Sequence, residues 1–141
     1  MEIKDCVVAL GSACGLEVLV PWDDGTYHLT VGEMPFVLTP EGERATCVLT
    51  AELGTIPERQ AEVLLKQVLR SMFMGGLGVG SWFSATEGAK TLFLNRRFAL
   101  AQLDAASFVE EANRFAADGL SWREIVDGWR RKVAAGAEDG V

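Results

Sequence analysis

Three short segments with the alternating pattern of β-strands follow one another closely, and they constrain the fold of this chain more than any other feature. Turn signals rich in Gly, Asp and Pro separate them, at Asp23-Asp24-Gly25, Gly32 and Pro40-Glu41-Gly42. Strands joined by so few residues pair with their neighbours in antiparallel orientation. The pattern therefore predicts an antiparallel meander with strands at Thr26–Val31, Met34–Thr39 and Arg44–Leu53.

Helical periodicity flanks this meander on both sides. Apolar residues recur every three or four positions from Ile3, and Gly15 stands where that first helix should end. After the strands, Thr55-Ile-Pro-Glu58 has the form of a capping box with a proline in the first turn. We expect a second helix to begin there and to carry an apolar stripe as far as Met72.

The last third of the chain adds two strands, "GSWFSA" and "KTLFLN", and more helix. Asp104 is predicted to cap a helix that ends at Gly119, and Ser121-Trp-Arg-Glu124 to form a capping box that begins a final one. The order α-βββ-α-ββ-α(α) predicts a single α+β domain with a twisted, mainly antiparallel sheet flanked by helices. We expect the folded domain to span 1–135 and a flexible acidic tail to span 136–141.

The charge balance excludes several classes of partner. Twenty acidic residues against thirteen basic ones give a net charge of -7, and such a surface repels nucleic-acid phosphates and anionic lipid headgroups. No stretch has the roughly 18 consecutive apolar residues of a transmembrane helix, and the N-terminus does not resemble a secretory signal peptide. Cys6, Cys14 and Cys47 lack CxxC spacing, which favours free thiols in a reducing cytosol. We therefore expect a cytoplasmic protein that binds no nucleic acid and does not insert into membranes.

The segment "MFMGGLGVGSWFS", from Met72 to Ser84, is the one that most resembles a catalytic loop. A dinucleotide-binding loop follows a strand, opens a helix and has Gly at its first, third and sixth positions, whereas Gly76 and Gly78 are followed by Ser81 in helix-then-strand order. A P-loop needs Lys-Ser/Thr after its last glycine, where this chain has Ser-Trp. A helix C-terminus also carries partial negative charge. These glycines therefore predict a helix end and close packing, and not a nucleotide site.

Other candidates for catalysis or metal binding are equally sparse. His28 is the only histidine, so no second imidazole is available to a metal, and its place in mid-strand predicts a solvent-facing residue. Asp23-Asp24-Gly25 lacks the spaced oxygen ligands of a calcium loop. A Cys–His catalytic pair has no local support. We expect no enzyme, no cofactor and no metal, and the apolar stripes on nearly every element favour a binding module.

The chain resembles the type III secretion chaperones of the Tir-chaperone class, which are small acidic cytosolic proteins of Gram-negative bacteria with an α-βββ-α-ββ-α plan. "LLKQVLRSMFMGGLGVGSWFS" is similar to the central helix, loop and fourth strand of that family. "EGAKTLFLNRRFALAQLDAASFVEEANRFAADGLSWREIV" is similar to its fifth strand and final helix, and "GTYHLTV" to its first strand. The resemblance covers nearly the whole chain, and it depends on a pattern of apolar positions.

The resemblance implies a non-enzymatic homodimer with a role in virulence. Such a protein binds the N-terminal region of a secreted effector and keeps it extended, soluble and secretion-competent, without ATP or a metal. In the family the dimer forms through the central helix and the strand after it, which implies here Leu65, Val68, Leu69, Met72, Leu77, Val79 and Trp82. Effector contacts in the family involve the first helix and the three-stranded face, which implies Val7, Leu10, Trp22, Leu29, Val31, Phe36, Leu38 and Val48.

Each residue of the effector set has core packing as its alternative, and we expect about half of the set to be buried in the monomer. Two other functions also stay open, because a fold does not fix a function. One is a dimeric protein-binding adaptor or regulator on the same fold. The other, which the sequence favours less, is a small-ligand-binding domain.

Overall fold

The computed structural model describes residues 1–15, 19–42, 45–73, 80–88 and 90–138. Within these ranges, three α-helices and five strands form one α+β domain in the predicted order, which confirms the fold class. A 3₁₀ turn at Leu100–Gln102 joins the last strand to the last helix. The elements are α1 (Ile3–Ala13), β1 (Tyr27–Val31), β2 (Met34–Pro40), β3 (Thr46–Thr55), α2 (Ala61–Phe73), β4 (Ser81–Ala85), β5 (Thr91–Ala99) and α3 (Ala105–Glu138).

The five strands form one sheet in the order β1-β2-β3-β5-β4, and every neighbouring pair is antiparallel. The first three strands are the predicted meander, while β5 lies between β3 and β4. Strands β1 and β4 are therefore the two edges of the sheet. One row of side chains runs across all five strands in register and points toward the core: Leu29, Phe36, Ala51, Leu94 and Phe83.

The core lies between this sheet face and α3, and α1 packs beside α3. Three aromatic pairs join helix and sheet in edge-to-face geometry, which adds about 0.5–1.5 kcal/mol per pair to the free energy of burying their area. The seven-residue spacing of Phe108 and Phe115 thus marks core packing. The pairs, with their centroid distances, are Phe36–Phe115 at 5.5 Å, Phe98–Phe108 at 5.4 Å and Phe83–Trp122 at 4.9 Å.

Helix α3 runs without interruption from Ala105 to Glu138, so the predicted break at Gly119 and the second capping box at Ser121 are wrong. Gly119 lies where α3 packs tightly against the sheet. A Cβ atom at this position would be 3.1 Å from Met34 Cε and 3.3 Å from Ala51 Cβ. The glycine therefore permits helix–sheet contact, and its role is not helix termination.

Two other helix starts were predicted from capping residues, and they differ in outcome. Helix α2 begins only at Ala61, because Thr55 still pairs with Thr91 at the end of β3, so the first capping box is wrong. The cap of α3 is confirmed, since the Ser107 N–H donates to Asp104 Oδ1 at 2.8 Å. That hydrogen bond lowers the pKa of Asp104. In this chain, therefore, Asp104 caps a helix, whereas Thr55 does not, because Thr55 still belongs to a strand.

Two glycines of α3 provide a matched test of this packing. Gly119→Leu is expected to lower the free energy of unfolding by about 1–3 kcal/mol, because the side chain has no room beside Met34 and Ala51. A Cβ atom at Gly128 would meet no atom of the described residues within 4 Å. Gly128→Ala should therefore raise the free energy of unfolding by about 0.5–1 kcal/mol through helix propensity. Urea unfolding followed by circular dichroism measures both, and a stable Gly119→Leu variant would contradict the packing.

Candidate functional site

Helix α2 presents apolar side chains both to the core and to solvent. Leu64 and Val68 are buried in the core. Leu69, Met72 and Phe73, which we call the α2 patch, are 63%, 37% and 89% exposed. Their spacing of three and four residues places them on one side of the helix. An exposed apolar cluster of this kind is typical of a protein–protein contact.

The α2 patch includes part of the residue set that was predicted for the dimer interface. Leu69 and Met72 belong to it, and Leu65 is half-buried and packs against the core. Val68 faces the interior. Phe73, the most exposed member, was not predicted from the sequence. Its position four residues after Leu69 is the signal that could have found it.

Trp82 of β4, also predicted for the dimer interface, is half-buried on the sheet face away from α3. The Arg97 guanidinium lies over its ring, 5.0 Å from the centroid. Arg97 is itself fixed, because its Nε donates to Glu41 Oε1 at 2.6 Å and its Nη2 donates to Glu41 Oε2 at 3.0 Å. This contact holds Trp82 in one orientation. The remaining two members, Leu77 and Val79, lie outside the described residues.

The residues predicted for effector contact divide into buried and accessible ones. Val48 retains exposure but lies on the sheet face away from α3, opposite Arg97 in the register. Trp22, which precedes β1, and Val31, the last residue of β1, also retain exposure. The three accessible side chains therefore do not form one surface. Five of the eight lie in the core of the monomer: Val7, Leu10, Leu29, Phe36 and Leu38.

A groove of about 270 Å³ lies between α1, the β1–β2 turn and α3. It brings together three residues of the predicted effector set, Leu10, Val31 and Phe36, with Val109 and Ala112 of α3. The groove lies next to β1, which pairs only with β2 among the described strands. An edge strand presents unpaired backbone N–H and C=O groups. The groove and the edge together can accept an apolar side chain and an extended backbone.

Trp22 is held beside this edge by a network of short contacts. Its ring stacks on His28, with centroids 3.4 Å apart and planes 13° apart. The Thr26 hydroxyl donates to Asp24 Oδ1 at 2.6 Å and contacts His28 Nε2 at 2.8 Å. Because the hydroxyl has only one proton, His28 Nε2–H must be the donor in the second contact. The hydrogen bonds from Thr26 also lower the pKa of Asp24.

His28 therefore supports an aromatic side chain, although the sequence predicted a solvent-facing residue. It is half-buried under Trp22, which remains 59% exposed. Tryptophan is enriched among the residues that contribute most to binding at protein interfaces, which makes Trp22 a candidate anchor. The signal in the sequence was the short Trp22–His28 hairpin around Asp23-Asp24-Gly25, which was interpreted only as a turn.

The other buried polar group near these surfaces has a structural role. Asn95 is 5% exposed, and its Oδ1 accepts from the Thr50 hydroxyl at 2.8 Å while its Nδ2 donates to Ser84 Oγ at 2.9 Å. Among the described residues, no group of three or more His, Cys, Asp or Glu side chains is placed to hold a metal ion. The glycine segment 74–79 lies outside the described residues.

No helix within the described ranges has the length and apolar character needed to cross a bilayer. Curated protein sequences gave no match to this chain. Solved structures, by contrast, include several with the same fold, and these include complexes of two proteins.

The fold is similar to that in the crystal structure of the ExsC–ExsE complex, with a TM-score of 0.67 and 17% identity over 89% of this chain and 97% of the other. The HopA1–SchA chaperone–effector complex has a TM-score of 0.65 and 16% identity, over 86% of this chain and 92% of the other. The ExoU–SpcU complex from the type III secretion system of Pseudomonas aeruginosa has a TM-score of 0.64 and 16% identity, over 86% of this chain and 98% of the other. At these identities the likeness establishes the fold.

The sequence itself supplies the family. The model of the Tir chaperone protein (CesT) family matches residues 6–123, from α1 to the middle of α3. This span contains all five strands and α2. The resemblance seen in the sequence is thereby confirmed, and the chain belongs to the Tir chaperone protein (CesT) family.

Proposed function

We propose that this protein is a cytoplasmic chaperone of a type III secretion system. As a homodimer, it binds the N-terminal region of a secreted effector and keeps that region extended, soluble and secretion-competent. It does so without catalysis or a cofactor. The observation that carries the proposal is the groove beside edge strand β1, whose apolar lining includes Leu10, Val31 and Phe36.

An extended segment fits this site for a physical reason. Its backbone can pair with the free edge of β1, and its side chains then alternate between the two faces of the sheet. The side chains of the segment that point to the α3 side of the sheet reach the groove beside Val31. The backbone hydrogen bonds provide affinity for many sequences, while the groove selects an apolar side chain. Ordering the bound segment costs free energy, so a long contact is needed.

Trp22 provides the anchor for such a segment. Its stacking on His28 fixes the ring before binding, so little rotamer entropy is lost when a client covers it. Val20, 71% exposed, adds apolar area two residues away. The exposed side chains and the groove lie on both sides of β1, which suits a client that runs along the strand.

The homodimer forms through the α2 patch and β4. Leu69, Met72 and Phe73 supply the apolar contact, and Trp82 extends it onto the sheet. An interface with a twofold axis uses the same patch on both subunits, so these few residues contribute twice. The proposed functional domain spans residues 1–135, and α3 continues past this boundary to Glu138.

Trp22→Ala and Val31→Asp test the client site. Each is expected to reduce capture of the effector from the native cytosol about tenfold or more, because one removes the anchor and the other places a charge at the groove. Quantitative mass spectrometry of the material that co-purifies measures this. Leu120→Ala, at a position on α3 that is 39% exposed, is the control and should retain capture. Undiminished capture by both site variants, with unchanged circular dichroism, would refute the site.

A further inference from the structure

The exposed ring of Trp22 has two carboxylates beside it. Trp22, Asp23 and Asp24 line a hollow of about 390 Å³ at the surface, and all three residues are exposed. Two backbone hydrogen bonds close the tight turn that holds them, from the Trp22 N–H to the Thr26 carbonyl and from the Gly25 N–H to the Trp22 carbonyl, both at 2.8 Å. The hollow therefore combines an aromatic face with negative charge, and its described lining contains no basic side chain.

A cation is the chemical group that suits this hollow. One face of the Trp22 ring stacks on His28, while the residue stays 59% exposed, so a second group can lie over the other face. A guanidinium or ammonium group is attracted to the face of a tryptophan within about 6 Å of its centroid. The carboxylates of Asp23 and Asp24 add Coulomb attraction. The hydrogen bonds from Thr26 lower the pKa of Asp24, which keeps this carboxylate ionised at neutral pH.

The groove on the other side of β1 has the opposite chemistry. It is lined by apolar side chains such as Leu10, Val31 and Phe36, with Thr30 and Asn113 as polar neighbours, and its described lining carries no charged side chain. An ion that entered such a groove would lose hydration without gaining a partner of opposite charge. The groove therefore accepts an apolar side chain and disfavours a charged one.

The geometry of β1 fixes the separation of these two contacts along a client. His28, on which Trp22 stacks, points to the sheet face away from α3, as does its partner Val37, whereas Val31 packs against the core. A client strand on the free edge of β1 places each side chain on the same face as the residue that it opposes. The client residues opposite His28 and Val31 are therefore three positions apart and on opposite faces, whether the client runs parallel or antiparallel to β1.

We propose that the client segment carries an arginine or lysine that contacts Trp22, Asp23 and Asp24, and a large apolar residue three positions away that fills the groove beside Val31. This inference rests on the proposed function and names the chemical class of the segment that is bound. A spacing of two or four would direct both side chains to the same face of the sheet, so only one of the two contacts could form. The net charge of -7 also favours the approach of a basic segment.

The test uses the full chain and fluorescein-labelled probe peptides of threonine and serine that carry one arginine and one isoleucine three positions apart. Fluorescence anisotropy measures the dissociation constant. Glutamate in place of the arginine, or a spacing of two in place of three, should weaken binding about tenfold or more. Binding of the arginine peptide should also weaken as the salt concentration rises, because salt screens exposed charges.

Asp23→Asn combined with Asp24→Asn removes the charge and keeps the turn, because an asparagine Oδ1 can still accept the hydrogen bonds from Thr26. This variant should bind the arginine peptide roughly three- to tenfold more weakly, while its affinity for a peptide with serine in place of the arginine should stay within about twofold. Glu87→Gln combined with Glu124→Gln is the control. It removes the same charge at exposed positions in the turn after β4 and on α3, and it should bind both peptides like the unmodified chain.

Equal or equally undetectable affinity for the arginine and glutamate peptides would overturn the proposal, and so would equal affinity for the two spacings. An arginine preference that persists in Trp22→Ala and in the double asparagine variant would place the cation elsewhere. Protection of the β1 amides from hydrogen exchange that rises with the concentration of the free chain would assign this edge to a second copy. The two proposals can fail separately: a captured client whose protected stretch lacks the spacing refutes this inference alone, whereas a chain that shows the peptide preference but captures no secreted protein refutes the chaperone function alone.

Discussion

Leu69→Asp combined with Phe73→Asp is expected to convert the proposed homodimer into a monomer. The two side chains are 63% and 89% exposed in the monomer, so the substitutions leave the core intact. In a twofold interface they place four carboxylates in an apolar contact. Apolar residues at the centre of an interface often contribute about 2 kcal/mol or more each, so we expect the dissociation constant to rise roughly 100-fold or more. Sedimentation equilibrium over a concentration series measures this change.

A matched control separates the interface from the added charge. Val8→Asp combined with Leu120→Asp adds the same two negative charges at positions that are 68% and 39% exposed, on α1 and α3. This variant should dimerise like the unmodified chain. Equal dissociation of the two double variants, or a concentration-independent monomer before any substitution, would exclude the α2 patch as the interface.

Phe36→Asp is expected to unfold the monomer. Phe36 is 1% exposed, and its ring lies 5.5 Å from that of Phe115 across the core. Removing a buried phenylalanine costs about 3–5 kcal/mol, and a buried carboxylate adds its desolvation. The expected loss of about 4 kcal/mol or more is comparable with the total stability of many domains, roughly 5–15 kcal/mol. Thermal unfolding followed by near-ultraviolet circular dichroism measures it.

The neighbouring residue provides the control for this second prediction. Val37 is half-buried and points to the opposite face of the sheet, since successive side chains alternate along a strand. Val37→Asp should therefore cost less than about 1.5 kcal/mol. A folded Phe36→Asp variant of near-normal stability would contradict the described core. Any loss of effector capture in the Phe36 variant would also report loss of the fold, so Trp22 and Val31 are the better sites for that test.

The strands could be predicted from the sequence because the alternation of apolar and polar residues and the turn signals between the segments indicate the same strand boundaries. Alternation places Phe36 and Leu38 on one face, but it does not tell whether a helix covers that face. In this chain α3 covers it, and both side chains are buried. A family resemblance indicates which positions correspond between two proteins, but it does not show whether the side chain at such a position is exposed. The predicted effector set therefore contains core residues together with accessible ones.

The errors in the helices have a common physical origin. Gly119 was interpreted from its local conformational freedom, whereas its missing side chain is what lets α3 approach Met34 and Ala51. Thr55 was interpreted as a cap, whereas its pairing with Thr91 extends β3. In both cases a contact between residues far apart in sequence overrides a local preference. The cap at Asp104 was predictable because no such contact competes with it.

The candidate site depends on long-range geometry in the same way. The groove requires α1, the β1–β2 turn and α3 to meet, and the stacking of Trp22 on His28 depends on a hairpin that the sequence marked only as a turn. The α2 patch is the exception, since helical spacing alone predicts Leu69 and Met72 on one face.

Purification of the tagged full chain from its native cytosol under secretion-active conditions, followed by limited proteolysis and mass spectrometry, decides whether the protein is an effector chaperone. We expect one stoichiometric partner, with a protected stretch near its N-terminus that is released when Trp22→Ala and Val31→Asp are combined. A partner protected elsewhere, or retained by that double variant, would exclude the proposed client site, and a chain that captures no secreted protein would exclude the chaperone function.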